Sequence, residues 1–161
     1  MAFETIDTEA LINALNTCKS KLNVSKINQL SHSLSYNSDS WTSDSRKTLY
    51  DALKKLSSRY VSLNNLFDSY ISIANKIGRY KQLGTQMKNL DREYNELNKN
   101  LYYEEEYTTT TKDQNGNDVT ETHTKTVKDE NVESQIEENR RNSSACDSEM
   151  KRIYNEVANS I

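Results

Sequence analysis

Nine apolar residues, Leu49, Leu53, Leu56, Tyr60, Leu63, Phe67, Tyr70, Ala74 and Ile77, alternate four and three positions apart without a miss. A spacing that averages 3.5 keeps every one of them on a single helical stripe and is incompatible with the two-residue alternation of a strand. The chain of 161 residues contains no proline and only three glycines, Gly78, Gly84 and Gly116. Nothing therefore obliges such a helix to stop, whereas folds made of many tight turns lack the residues they need.

The stripe would next fall on Lys81 and Gly84, where it fails, and it resumes one residue early at Leu83, Met87, Leu90, Tyr94, Leu97 and Leu101. A slip of one residue turns the apolar face by about 100°. We read this as one continuous helix from about Asp44 to Glu105 that exchanges one packing partner for another near Gly78 and Gly84; the alternative reading is a break into two helices there. Upstream, Asp7 or Thr8 opens a helix through Thr8-Glu9-Ala10-Leu11. Its stripe is Leu11, Leu15, Cys18 and Leu22, then, after a phase slip, Ile27, Leu30 and Leu34, ending near Ser35. Tyr36 to Ser45 is dense in turn and cap residues and makes the first hairpin bend. Downstream, Val132, Ile136, Asn139, Ser143, Cys146, Met150, Ile153 and Val157 mark a last helix over about 129–160, with Asn139 and Ser143 as polar interruptions that can fix register.

Between these helices the pattern changes. Two runs rich in β-branched residues, Tyr107–Thr111 and Val119–Val127, flank Asn115-Gly116, whose positions both tolerate positive φ. This predicts a β-hairpin over about 107–127. The expected fold is therefore all-α, with antiparallel helical hairpins built on one very long central helix of roughly 90 Å and a small β-hairpin before the last helix. It forms a single elongated domain, with 1–77 as the first hairpin and 78–161 as the second. In that register Cys18 lies opposite Ser62 and Cys146 opposite Gln86, on the order of 36 Å apart, too far for a disulfide. Each cysteine reads as a small apolar residue on a packed face.

Composition narrows the function classes. Only 34% of the residues are hydrophobic and 28% are charged, a poor endowment for a core that encloses a catalytic cleft. The net charge of −3 and the lack of a basic stripe argue against nucleic acid. No run suits a membrane span, and the start lacks a basic region before an apolar one, so neither an anchor nor a cleaved leader is expected. Glu104-Glu105-Glu106 splays around a helix end rather than converging, His32 has no metal-ligand neighbour at the right spacing, and Tyr60, Tyr70 and Tyr94 fall on the stripe. The expectation is a non-enzymatic protein with no catalytic, cofactor-binding or metal residues. Ile12, Val61, Leu66, Ile71 and Ile73 lie off the main stripe, and Leu66, Ile71 and Ile73 are the candidate partner interface.

The one tryptophan stands in the first bend, in Trp41-Thr42-Ser43-Asp44-Ser45, with Leu49-Tyr50 opening the next helix. With Thr8-Glu9-Ala10-Leu11 at the start of the first helix, residues 5–75 resemble the WXG-motif proteins exported by the type VII (ESX-like) pathway of Gram-positive bacteria. These are short helical hairpins with Trp-X-Gly in the turn. Ser43 replaces the family's Gly and can cap the following helix. The family's export signal, Tyr-x-x-x-Asp/Glu, is matched only by Tyr102 and Glu106, and residues beyond about 78 have no counterpart in the short members. The resemblance implies a secretion substrate or helper that pairs with itself or with another helical protein, such as an LXG-type toxin, and meets the secretion machinery. It would leave the cell without a cleaved leader or reside in the cytoplasm before export. A composition rich in Asn, Lys and Ser fits an AT-rich Gram-positive source. The competing expectation is a self-assembling coiled-coil protein of a phage or cytoplasmic assembly, in which Trp41 only packs.

Overall fold

The computed structural model describes residues 3, 5–22, 24–36 and 43–160, and it is mainly helical with one two-stranded antiparallel sheet. In order the elements are α1 (Thr8–Lys21), α2 (Val24–Tyr36), α3 (Ser43–Lys99), β1 (Tyr102–Lys112), β2 (Asp118–Lys128) and α4 (Glu130–Ala158). The fold is thus not all-α, since two strands of eleven residues each stand between α3 and α4.

Asp7 caps α1 by accepting the Ala10 N–H at 3.0 Å. The first helix does not run on to Ser35. Leu22 leaves helical geometry at φ −79°, ψ 95°, and a separate α2 follows. The phase slip between Leu22 and Ile27 explains the break, because an unbroken helix would swing Ile27 and Ser31 away from α3. Two helices let each segment turn its own stripe inward.

α3 is unbroken through Gly78 and Gly84, but it stops at Lys99 rather than Glu105. Asn100 closes it, its side-chain amide donating to the Glu96 carbonyl at 3.1 Å. Tyr102 to Glu106 then belong to β1. Their β-forming tyrosines and their cross-strand partners, Lys128, Val127, Thr126, Lys125 and Thr124, offset more in a ladder than one further helical turn would.

The β-turn also differs from the sequence reading. Only Gly116 has a positive φ, at 84°, while Asn115 does not. Gly116 N–H donates to the Asp113 carbonyl at 3.0 Å, and Asp113 N–H donates to the Asn117 carbonyl at 2.9 Å, which makes a three-residue loop with Gly116 in the left-handed position. The Asp113 carboxylate accepts the N–H groups of Asn115 and Asn117, both at 2.8 Å. Those bonds, the Asn117 backbone and side chain first among them, hold its carboxyl below the ordinary 3.8. The group therefore steadies the loop above its unfolded-state value and releases it as pH falls through the lower folded one. NMR titration of the Asp113 carboxyl carbon should give a midpoint below 3.8, and a midpoint at or above that value would overturn the assignment of the loop's anchor.

Two compact units share α3 and α4: Met1–Lys81 with Asn155–Ile161, and Gln82–Tyr154. In the first unit α1 and α2 run antiparallel to α3. Lys19 pairs with Asp68, Asn28 accepts the Ser57 hydroxyl at 2.8 Å, and Thr8 lies at the level of Gly78. Cys18 is consequently level with the Asp68 turn, not with Ser62, because α1 sits deeper along α3 than the stripe alone implies. It is exposed rather than packed. The buried apolar residues of this unit are Ala74, Ile77 and Val157, and Lys76 bonds Glu156 at 2.8 Å. In the second unit Leu83, Leu90, Ile136, Cys146 and Ile153 form the core. Both cysteines are free.

Candidate functional site

Over residues 8–22, 25–33 and 44–73 no residue is fully buried, although this part of the chain carries its most regular apolar pattern. From Leu49 onward the half-buried positions that follow the α3 stripe are Leu49, Leu53, Ser57, Tyr60, Asn64, Phe67 and Ile71, leading to the buried Ala74. The stripe as read from sequence is therefore split. Leu56, Leu63 and Tyr70 are exposed, and polar Ser57 and Asn64 occupy the packed positions beside them.

The exposed residues share a geometric relation. Leu11 precedes half-buried Ile12, Leu30 precedes Ser31, and Leu56, Leu63, Leu66 and Tyr70 precede Ser57, Asn64, Phe67 and Ile71. A residue one position before a packed one sits about 100° around the helix. For antiparallel helices that rotation is opposite in sense on the two partners, so all six side chains emerge on the same side of the α1–α2/α3 layer. Cys18, before half-buried Lys19, joins them. The position after each packed residue emerges on the opposite side, and there stand Asn13, Asn16, Ser20, Asn28, His32, Ser58, Asn65, Asp68 and Ser72, with only Tyr50 and Val61 as large apolar exceptions. By the same rule Ala14, Lys26, Thr48, Ala52 and Arg59 also stand on the first side, so that side is mainly apolar with Lys26, Thr48 and Arg59 as polar interruptions, and the other is mainly polar.

Of the residues singled out from sequence, Leu66 lies on this apolar side, Ile71 faces the layer's own interior, and Ile73 is half-buried. Ile73 also lines an open cleft with Asp68, Ser69, Ser72, Lys76 and Ser160. Ile12, off the stripe by sequence, is one of the packed residues, while Val61 is exposed. Trp41 lies outside the described residues, and Ser43 is the first residue of α3. Tyr102 and Glu106 are not at a helix end. Both are exposed on one face of β1, about 13 Å apart at strand rise, with Glu104 between them. Glu104, Glu105 and Glu106 accordingly alternate across the ribbon instead of splaying around an axis.

On the other ribbon face Lys125 Nζ bonds Glu105 at 3.0 Å and lies 5.8 Å from the Tyr107 ring centre. The Glu105 carboxylate, by hydrogen bond and charge, raises the lysine's pKa above its ordinary 10.5. His123 Nε2 is 2.8 Å from the Thr109 hydroxyl, and its ring lies 5.4 Å from that of Tyr107. Among the described residues no group of three His, Cys, Asp or Glu side chains could hold a metal ion, and no helix is long and apolar enough to cross a membrane.

The residues that sequence reasoning missed are Leu56, Leu63 and Tyr70, which it assigned to an internal seam. The available signal was the polar pair Ser57 and Asn64, since a helix that packs one neighbour does not need an apolar stripe wide enough to flank them. Comparison of the chain with protein-family models, curated proteins and solved structures returned no match.

Proposed function

We propose that this protein is a non-enzymatic helical binding protein whose α1–α2/α3 layer docks a second helical protein on its apolar side. In this reading it serves as a type VII secretion substrate or helper that escorts a helical partner, such as an LXG-type toxin, toward the export machinery. The observation that carries the reading is the row Leu11, Leu30, Leu56, Leu63, Leu66 and Tyr70, left uncovered by a two-helix layer that has no buried residue over 8–22, 25–33 and 44–73. Two further helices laid on that side would complete a four-helix arrangement and remove the row from water. The resemblance of residues 5–75 to WXG-motif hairpins supports the choice of partner class. The competing occupant is a second copy of the chain, as a self-assembling helical protein would require.

The decisive experiment is a tagged pull-down of the full chain from its native bacterium, with mass spectrometry of lysate and medium. Recovery of a WXG- or LXG-type protein or of secretion components supports the escort reading, and recovery of the chain alone, only inside the cell, leaves self-assembly. Joint replacement Leu63→Ser and Tyr70→Ser should weaken capture of the recovered partner by at least about tenfold, since two anchors leave the interface. Their side chains are already 38% and 50% exposed, so the melting temperature of the free chain should move little. Unchanged capture would remove this face from the interface.

A further inference from the structure

The β1–β2 ribbon has a free edge with a definite pairing code. The Asp113 to Asn117 bond at the loop and the Asp129 N–H to Leu101 carbonyl bond, both 2.9 Å, fix which residues bond inward. Because inward and outward pairs alternate along an antiparallel ladder, Val119, Glu121, His123, Lys125 and Val127 bond to β1. Asp118, Thr120, Thr122, Thr124, Thr126 and Lys128 turn their N–H and C=O groups to the other side of β2, where the two-stranded sheet has no further strand among the described residues. The ladder runs through eleven paired positions without a bulge, and neither strand contains proline or glycine. Such an edge is a template for another strand.

β2 is also complementary to itself. Read antiparallel about His123, Asp118-Val-Thr-Glu-Thr-His-Thr-Lys-Thr-Val-Lys128 sets Asp118 against Lys128, Val119 against Val127, Thr120 against Thr126, Glu121 against Lys125 and Thr122 against Thr124. Every acid meets a base and every valine a valine. The parity agrees too, since the pairs that must exchange hydrogen bonds, 118 with 128, 120 with 126 and 122 with 124, are those whose backbone groups point outward. The next registers with correct parity put Glu121 opposite His123 or Val127 and lose the match. The β1 edge offers no equivalent: about Tyr107 its three glutamates meet only threonines, and Lys112 meets Tyr102.

We propose that β2 pairs antiparallel with β2 of a second copy across a two-fold axis at His123, making a four-stranded sheet in the order β1–β2–β2–β1. Across the new junction Lys125, already bonded to Glu105 of its own ribbon, gains Glu121 of the second copy, so the ion pair extends over three strands. The two His123 positions form a non-hydrogen-bonded pair with Cα atoms about 4.5 Å apart. This junction uses residues of the Gln82–Tyr154 unit alone and stands or falls separately from the helical face described above.

The test uses the full chain with Cys18→Ser. His123→Cys places two thiols within disulfide range across the axis, so mild oxidation should give a covalent dimer, while Val119→Cys, which faces Val127 of the second copy, should not. By sedimentation equilibrium, Thr122→Pro removes an outward N–H without touching the β1–β2 ladder and should raise the dimer dissociation constant at least about tenfold. Thr108→Pro, on the outer edge of β1, should leave it unchanged. Glu121→Lys and Lys125→Glu should each weaken self-association by about tenfold through like-charge pairs, and mixing the two chains should restore it as a heterodimer. The proposal is overturned if the chain is monomeric at every concentration, if Thr122→Pro leaves its self-association intact, if His123→Cys and Val119→Cys cross-link alike, or if mixing fails to restore association.

Discussion

Replacing Leu83 by alanine should lower the unfolding free energy by about 3 kcal/mol, while Leu63→Ala should cost no more than about 1 kcal/mol. Both are leucines on α3, and both stand on the apolar stripes read from sequence, so helix propensity and residue type are matched. They differ in burial. Leu83 is 2% exposed and Leu63 is 38% exposed. Truncating Leu83 removes transfer free energy and leaves a cavity that the helices can only partly close, whereas around Leu63 water already fills much of the space. Urea melts of the two variants read the contrast directly. Equal losses would mean that residues 56–70 are packed as tightly as residues 83–90, and the exposed face would lose its physical basis.

The same contrast shows what the sequence could and could not reveal. The long helix and the α4 residues Ile136, Asn139, Cys146, Ile153 and Val157 follow from spacing, because a stripe with a single neighbour dictates which residues go inside, whereas at Gly78 and Gly84 the spacing alone left a break open beside the continuous helix that forms. The choice between Leu56, Leu63, Tyr70 and Ser57, Asn64, Ile71 does not. Both sets lie within one wide sector of α3, and α1 and α2 settle the matter by docking on one edge of it. The break at Leu22 was visible only as a phase slip, which a bent helix could also have absorbed. At Tyr102 local helical pattern competed with a long-range gain: the ladder to Val127 and Lys128 forms across a loop that no window of sequence contains. The self-complementarity of β2 was present in the letters throughout. It acquired meaning only when the ladder fixed which backbone groups face outward.

Asn139→Asp should destabilise the protein at neutral pH by about 3 kcal/mol or more and should be far milder in acid. Asn139 is a buried polar side chain, 4% exposed on the packed face of α4. Its amide nitrogen donates to the Leu90 carbonyl at 3.1 Å and to the Glu93 carboxylate at 3.0 Å. Both partners are acceptors, so the position demands a donor. An ionised aspartate has none and would set a second negative charge beside Glu93 in a site with little water. Burial and that carboxylate both raise the folded-state pKa of the new acid above its unfolded value. The penalty is therefore absent below the unfolded pKa, grows as pH rises, and is complete above the folded one. Once protonated, the introduced carboxyl recovers one donor, and the variant should approach the parent in acid for that reason. Melts across the acid-to-neutral range, compared with Asn139→Ala, separate the charge from the missing contacts: alanine should cost about 1–3 kcal/mol with no added pH dependence. An aspartate variant whose deficit did not shrink in acid would show that Asn139 acts by volume alone. The result also bears on register. Asn139 meets both of its partners only when α4 stands level with Leu90 and Glu93, and a shift by one helical turn would bury its amide without them. The buried donor therefore costs stability relative to an apolar seam and in return fixes where α4 stops against α3.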